Sequence, residues 1–376
     1  MRTIACNAPY GKGGMGQHLA HLVEASRRAG MLARYYSPAP QEGDERGQRV
    51  ERRRWRDWLL WYTPVRFRPA WRSFLDNELF DRRVARRLQR PLGRFMSFAG
   101  ASLRSFQQAE ARGAEPLELV SATSHVHNLK RRHDHAHERH GMDDSWLNGA
   151  QVRKTLREYA AADTIYVHSD YTRRTFREAG VPAEALERTY LQVHPRFRPP
   201  PHRPSDATFR AVYVGRIEAT KGVPVLLEAF SRLPTADKTL TLVGGWSTRR
   251  MRVYMQDWLS DPRIRMAPGD PLPALHDADV FVHPTYEDGF GYAPMEALAC
   301  GTPVVVTTDT GMKEYVREEE NGYVVPTGRV APLVDRLERL RRHPRATTQS
   351  LLPPAYHEEQ DASFADMLAK GGLPSG

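Results

Sequence analysis

Two cations and a pair of acids, each set among glycines, are the residues of this 376-residue sequence whose types and spacing most clearly suit chemistry. In Tyr213-Val214-Gly215-Arg216-Ile217-Glu218-Ala219-Thr220-Lys221-Gly222-Val223-Pro224 an apolar run gives way to a loop and then to a helix start, where Pro224 suits the first turn. Arg216 and Lys221 thus leave the C-terminal end of a strand close to a helix N-terminus, a placement that stabilises a diphosphate. A pair of solvated surface cations is the plain alternative. The second stretch, Pro284-Thr285-Tyr286-Glu287-Asp288-Gly289-Phe290-Gly291-Tyr292-Ala293-Pro294-Met295-Glu296, follows the apolar run Val280–His283. Gly289 and Gly291 let backbone N–H groups approach a ligand, and the N-terminus of the helix that carries Glu296 favours an anion. Asp288 and Glu296, eight residues apart across the glycine-rich turn, can share one wall of a cleft; surface acids beside a tight turn are the alternative.

The elements that must hold these residues alternate between short β-rich runs and helical stretches, the pattern of an α/β fold. Strands are expected at Thr3–Cys6, Leu32–Tyr36, Leu117–Thr123, Thr164–His168 and Thr189–Val193 in the first half. In the second half they are expected at Phe209–Val214, Thr239–Val243, Ile264–Met266, Val280–His283, Val304–Thr307 and Tyr323–Val325. Runs such as Val304-Val305-Val306 lack alternation, as in parallel sheets covered on both faces. Residues 196–207 are proline-rich and polar, which marks a linker between a domain at 1–195 and a second at 208–352. Residues 353–376, with Phe364, Met367 and Leu368 at helical spacing, are expected to form a last helix crossing back to the first domain. The expected architecture is two Rossmann-like, doubly wound domains facing across a cleft, with ligands at the C-terminal ends of the strands.

No window holds 18 consecutive apolar residues, and the N-terminus lacks the pattern of a signal peptide, so a soluble cytosolic protein is expected. Cys6 and Cys300 alone cannot build a disulfide framework. Residues 1–200 carry 35 Lys and Arg against 22 Asp and Glu, whereas residues 201–376 carry 20 against 23, so the whole net charge of +10 comes from the first half. An acidic partner or anionic surface is expected there. The stretch Arg52–Arg94 concentrates the effect, with thirteen arginines and four of the chain's seven tryptophans. Arg52, Arg53, Arg54, Trp55, Trp58 and Trp61 suit an anionic membrane face or a phosphate-bearing acceptor; a basic surface over packed tryptophans is the alternative. No nucleic-acid recognition motif accompanies the charge. His125, His127, His133, His135, His137 and His140 do not follow a structural zinc spacing, so no metal is expected.

Over about residues 211–328 the second half resembles the retaining glycosyltransferases of family 4 (glycosyl transferases group 1), which have the GT-B fold. The resemblance rests on Gly215-Arg216, Lys221-Gly222, Glu228-Ala229-Phe230, Leu242-Val243-Gly244-Gly245, Asp288-Gly289-Phe290-Gly291, Glu296-Ala297, Gly301-Thr302-Pro303-Val304-Val305, Gly311 with Glu314, and Asn321-Gly322-Tyr323-Val324-Val325, in family order. The first half is similar more loosely, through Gly13-Gly14-Met15-Gly16, Ala162–Ser169 and Gly180-Val181-Pro182. The resemblance implies a UDP- or GDP-sugar donor, transfer of a hexosyl group with retention, an acceptor glycan, lipid or small molecule, and no cofactor or metal. Arg216 and Lys221 would hold the diphosphate, and Glu296 the ribose. Asp288 stands where the family has a glutamate beside the sugar and is one methylene shorter, so neighbouring Glu287 is a second candidate. Backbone N–H groups of Phe290, Gly291 and Tyr292 would meet sugar or phosphate, Arg265 and Met266 would border the base, and Gly14 would approach the phosphates. His125, expected to close the strand Leu117–Thr123, would line the cleft. The expected location is the cytoplasm or the cytoplasmic face of a membrane. A non-catalytic subunit that binds nucleotide or glycan and recruits a partner is the alternative from another class.

Overall fold

The computed structural model describes residues 1–50, 62–63, 68–90, 92–142, 145–354 and 356, and the chain divides into two compact units. The candidate face Arg52, Arg53, Arg54, Trp55, Trp58 and Trp61 lies outside the described residues, as does the expected C-terminal helix apart from Tyr356 and the residues just before it.

The first unit, Met1–Lys130 with Ser145–Gln192, is built on seven parallel strands. These are β1 (Arg2–Ala5), β2 (Leu32–Ser37), β3 (Gly47–Arg49), β4 (Arg94–Phe98), β5 (Leu117–Val120), β6 (Thr164–Val167) and β7 (Leu186–Arg188), ordered β3-β2-β1-β4-β5-β6-β7. The α-helices with bounds among the described residues are α1 (Gly13–Arg28), α2 (Pro69–Arg87), α3 (Leu103–Glu110), the start of α4 (Val126–His140), α5 (Gly149–Ala161) and α6 (Asp170–Glu178). Strands β1 and β5 are buried along their whole length, as strands covered on both faces must be. One carboxylate ties four of them together. Glu118 on β5 accepts from Arg2 on β1 at 3.0 Å, from Arg94 on β4 at 2.8 Å and from the Tyr166 hydroxyl on β6 at 2.9 Å.

The second unit, Arg131–Asp144 with Val193–Glu358, holds six parallel strands. They are β8 (Phe209–Val214), β9 (Lys238–Val243), β10 (Ile264–Met266), β11 (Val280–His283), β12 (Val304–Thr307) and β13 (Gly322–Val325), ordered β10-β9-β8-β11-β12-β13. Around them run α7 (Val223–Arg232), α8 (Arg249–Trp258), α9 (Leu272–Asp277), α10 (Tyr292–Ala299) and α11 (Val330–Arg342). Tyr213, Leu226, Phe230, Leu242, Val305 and Leu337 pack within its core. The proline-rich segment is anchored to this unit by the Arg203 guanidinium, which donates to the carbonyls of Thr347 (2.8 Å), Ala278 (2.8 Å) and Cys300 (2.6 Å) and to Thr302 Oγ1 (3.0 Å).

In each sheet the first strand lies inside and the order reverses beside it, between β1 and β4 and between β8 and β11. Loops leaving the C-terminal ends of two strands that flank a reversal diverge to opposite faces of the sheet and open a crevice.

Several expected strands need correction. Leu117–Thr123 shortens to Leu117–Val120, because the chain turns at Ser121, whose Oγ donates to Thr123 O at 2.9 Å. Thr189–Val193 is not a strand: the edge strand is Leu186–Arg188, and only the Thr189 N–H still reaches Val167 O, at 2.8 Å. Strands β3 and β4 were not anticipated; Gly47-Gln48-Arg49 is too short and polar to signal itself, and Arg94–Phe98 mixes charged, aromatic and hydroxyl residues without a period. Helix α1 starts at Gly13, within the glycine-rich stretch.

Replacing Glu118 by Gln removes the buried negative charge between two arginines and is expected to lower unfolding stability by about 3–5 kcal/mol, measured by chemical denaturation.

Candidate functional site

The two stretches singled out by residue type meet at the β8–β11 reversal of the second unit. Their backbones are joined directly: the Tyr286 N–H donates to Thr220 O at 2.9 Å. Gly222 caps α7 in the left-handed region at φ +72, and a Cβ there would stand 1.9 Å from Pro284 O. Only glycine permits that approach.

Lys221 is thereby set against the acid loop. Its Nζ lies 2.9 Å from Asp288 Oδ2 and 3.4 Å from Glu287 O. The same Asp288 oxygen receives His283 Nε2 at 3.2 Å, and Oδ1 accepts the Phe290 N–H at 3.4 Å. The Asp288 carboxylate is thus committed to groups within the site. Its backbone is pinned as well, N–H to Asp309 O and O to Gly311 N–H, both at 3.1 Å. Asp309 is itself held by Arg132 (2.6 Å) and by the Thr327 hydroxyl (2.6 Å). Burial opposes ionisation of Asp288, but Lys221 beside it and the His283 hydrogen bond hold the carboxyl well below its usual range. Burial likewise disfavours the Lys221 charge, and Asp288, Glu287 and Glu218 outweigh it, so the ammonium titrates above its ordinary value. The pair is ionised at neutral pH.

Arg216 has a different setting. Its guanidinium is more than half exposed and pairs with Glu218 at 3.1 Å. The loop that carries it is braced by the Tyr213 hydroxyl, which donates to Arg216 O at 2.7 Å. Beyond the acid loop, Gly291 stands at the N-cap of α10 and has no side chain to cap it, and Glu296 on that helix is buried. Glu287 is buried too, while Phe290 O is held by Met312 N–H at 2.8 Å and Thr310 Oγ1 at 3.0 Å. Gly289 and Tyr292 complete the turn. Arg265 and Met266 sit on β10, two strands from the reversal; Arg265 Nε donates to Thr241 Oγ1 at 2.9 Å, and Met266 packs partly into the core. His283, Glu218, Thr220 and Asp309 were missed in the sequence. Their signal was position alone, at the ends of the strands and loops already marked.

In the first unit, Gly14 lies exposed in the first turn of α1 and not in the loop before it. His125 is not a strand end, since β5 stops at Val120; it is the residue before α4. Its backbone N–H donates to Thr175 Oγ1 at 3.0 Å, and its ring packs among His127, Tyr159 and Phe176 with centroids 5.1–5.2 Å away. The His-rich stretch is helix α4, and among the described residues no group of three or more His, Cys, Asp or Glu is placed to hold a metal.

The class of architecture follows from these sheets and is matched by solved structures. The fold is that of GT-B glycosyltransferases, two Rossmann-like α/β domains on parallel sheets. Sucrose-phosphate synthase from Thermosynechococcus elongatus is similar over 99% of this chain and 97% of its own, with a TM-score of 0.73 at 19% identity. Anabaena Alr3699/HepE in complex with UDP and glucose is similar over 99% of both chains, with a TM-score of 0.67 at 15% identity. At the level of sequence, residues 198–350 match the family model of glycosyl transferases group 1. A curated relative, D-inositol 3-phosphate glycosyltransferase of Pseudarthrobacter chlorophenolicus, is 32% identical over 154 residues, 38% of this chain. The match spans 37% of that relative, so the chain aligns with little more than a third of its length.

Burial, followed by the neighbouring His127, lowers the His125 ring to about 4 from 6.5. The folded state refuses a proton that the unfolded chain accepts below 6.5, so this residue makes stability fall as pH drops from 6.5 toward 4. In His125→Gln the melting temperature is expected to decline less steeply over that window, as differential scanning fluorimetry across pH would record.

Proposed function

We propose that this protein is a retaining glycosyltransferase of family 4 that moves a sugar from a nucleoside diphosphate donor, UDP- or GDP-linked, to a glycan, lipid or small-molecule acceptor. The reading rests chiefly on one observation: the loops after β8 and β11 start side by side at the order reversal and set Lys221 2.9 Å from Asp288. A partly exposed ammonium there can exchange its carboxylate partner for a phosphate oxygen. The group 1 match over residues 198–350 agrees with it, as does the presence of UDP in the complex of the similarly folded HepE.

Lys221 and Arg216 are assigned to the donor diphosphate, where they offset the charge that grows as the glycosidic bond breaks. Protein cations serve there, so neither metal nor cofactor is invoked. Glu296 is assigned to the ribose, Glu287 and the N–H groups of Phe290, Gly291 and Tyr292 to the sugar and phosphate, and Arg265 and Met266 to the border of the base. The departing diphosphate takes the acceptor proton on the face it leaves, which retains configuration without an enzymic nucleophile. Positioning and charge then supply most of the rate. The first unit is assigned to the acceptor, and its positive charge to an anionic membrane face or a phosphate-bearing acceptor at the cytoplasmic side; Gly14 is assigned to the donor phosphates and His125 to the transferred sugar. No helix among the described residues is long and apolar enough to cross a membrane.

Thermal shift with UDP, GDP, ADP and dTDP tests the donor site. A nucleotide at 100 times its dissociation constant stabilises the folded chain by about 2.7 kcal/mol, and Arg216→Ala is expected to diminish the shift. With the matching nucleotide sugar, Lys221→Ala is expected to slow transfer by about 10²–10³. If no nucleotide raises the melting temperature at millimolar concentration, the donor site is refuted, and the non-catalytic subunit takes its place.

A further inference from the structure

We propose that His283 is a positioning residue of the donor site, holding the Asp288 carboxylate in place when Lys221 turns from it to a diphosphate. The inference rests on the nucleotide-sugar reading above and adds a residue to the same site. His283 is the last residue of β11 and is buried, with its ring lying 24° from parallel to that of Phe281 at 6.2 Å. Its Nε2 stands 3.2 Å from Asp288 Oδ2, the oxygen that also takes Lys221 Nζ at 2.9 Å.

The other ring nitrogen makes the direction of that bond legible. Nδ1 is buried and has no hydrogen-bond partner among the described residues. A buried N–H without an acceptor costs more than a buried lone pair that a weak acceptor leaves unused, so the proton belongs on Nε2, aimed at the carboxylate. His283 is a donor to Asp288.

This matters once a ligand arrives. A diphosphate that draws Lys221 away removes the cation beside a carboxylate that burial already penalises. The His283 Nε2 donor then remains on it, whereas the Phe290 N–H, 3.4 Å from Oδ1, is among those assigned to the sugar and phosphate. The histidine bond keeps Asp288 oriented and the acid loop in register with Lys221. Aspartate, one methylene shorter than glutamate, keeps its carboxylate near the backbone of its loop and within reach of a side chain on the adjoining strand.

The test uses the full chain with 15N-labelled histidine and long-range 1H–15N NMR, the His283 resonances being assigned from their loss in His283→Gln. The expected result is an Nε2–H tautomer whose shifts move in Asp288→Asn and stay unchanged in Arg216→Ala. An Nδ1–H tautomer, or shifts indifferent to Asp288→Asn, overturns the proposal. This arm needs no ligand, so it stands apart from the donor reading, which fails separately if neither UDP nor GDP binds. In the second arm, release of nucleotide from UDP-glucose or GDP-mannose is expected to drop between about 10- and 100-fold in His283→Leu, with nucleotide affinity kept within about twofold. His283→Gln, whose amide can donate from the position of Nε2, is expected to recover most of the rate. Equal losses of rate in both variants, or a loss of affinity in place of rate, would reduce His283 to a packing residue.

Discussion

A parallel sheet that starts in its middle has one place where neighbouring strands send their loops to opposite faces, and in the second unit that place lies between β8 and β11. The site depends on this constraint. It puts the cationic loop after β8 beside the acid loop after β11, although Lys221 and Asp288 are 67 residues apart in the chain. Backbone contact then makes the approach close: Thr220 O takes the Tyr286 N–H, and Gly222 lies where any side chain would strike Pro284. Side chains meet because the backbones already do.

Two ionic clusters illustrate what exposure does to a charge pair. In the first unit, Arg2 and Glu118 are sealed, each at 0% exposure, and Glu118 is saturated by donors from three other strands. Such a carboxylate has no means of changing partner without unfolding the sheet around it. In the second unit, Lys221 and Asp288 keep 24% and 22% of their side chains accessible. A ligand oxygen can reach Lys221 and replace the carboxylate. The first pair suits strand cohesion, and the second suits exchange.

The same physics separates Arg216 from Lys221, which the sequence treats alike. Lys221 stands in the loop that Gly222 presses onto the acid turn, so it is ringed by Asp288, Glu287 and Glu218. Arg216 comes directly after Gly215 at the mouth of β8, where its long side chain stays largely in solvent and pairs with Glu218. One cation is held among acids, and the other lies largely in solvent with a single carboxylate partner.

Residue types and their order were enough to read the α/β class, most strands of the second unit and the two loops that matter, because unbroken apolar runs identify covered parallel strands and glycines mark where the backbone must come close. The first half was less legible: Gly47–Arg49 and Arg94–Phe98 carry no period, and their strand identity comes from pairing with β2 and β1. Local sequence could nominate Asp288 but not its partners. His283 looked like the end of a strand, and Thr220, Glu218 and Asp309 like ordinary loop residues. Only the folded sheet decided that His283 and Lys221 meet on one oxygen of Asp288, because hydrogen bonds between side chains depend on distances in space, and the order of strands sets those distances without being written in any one segment.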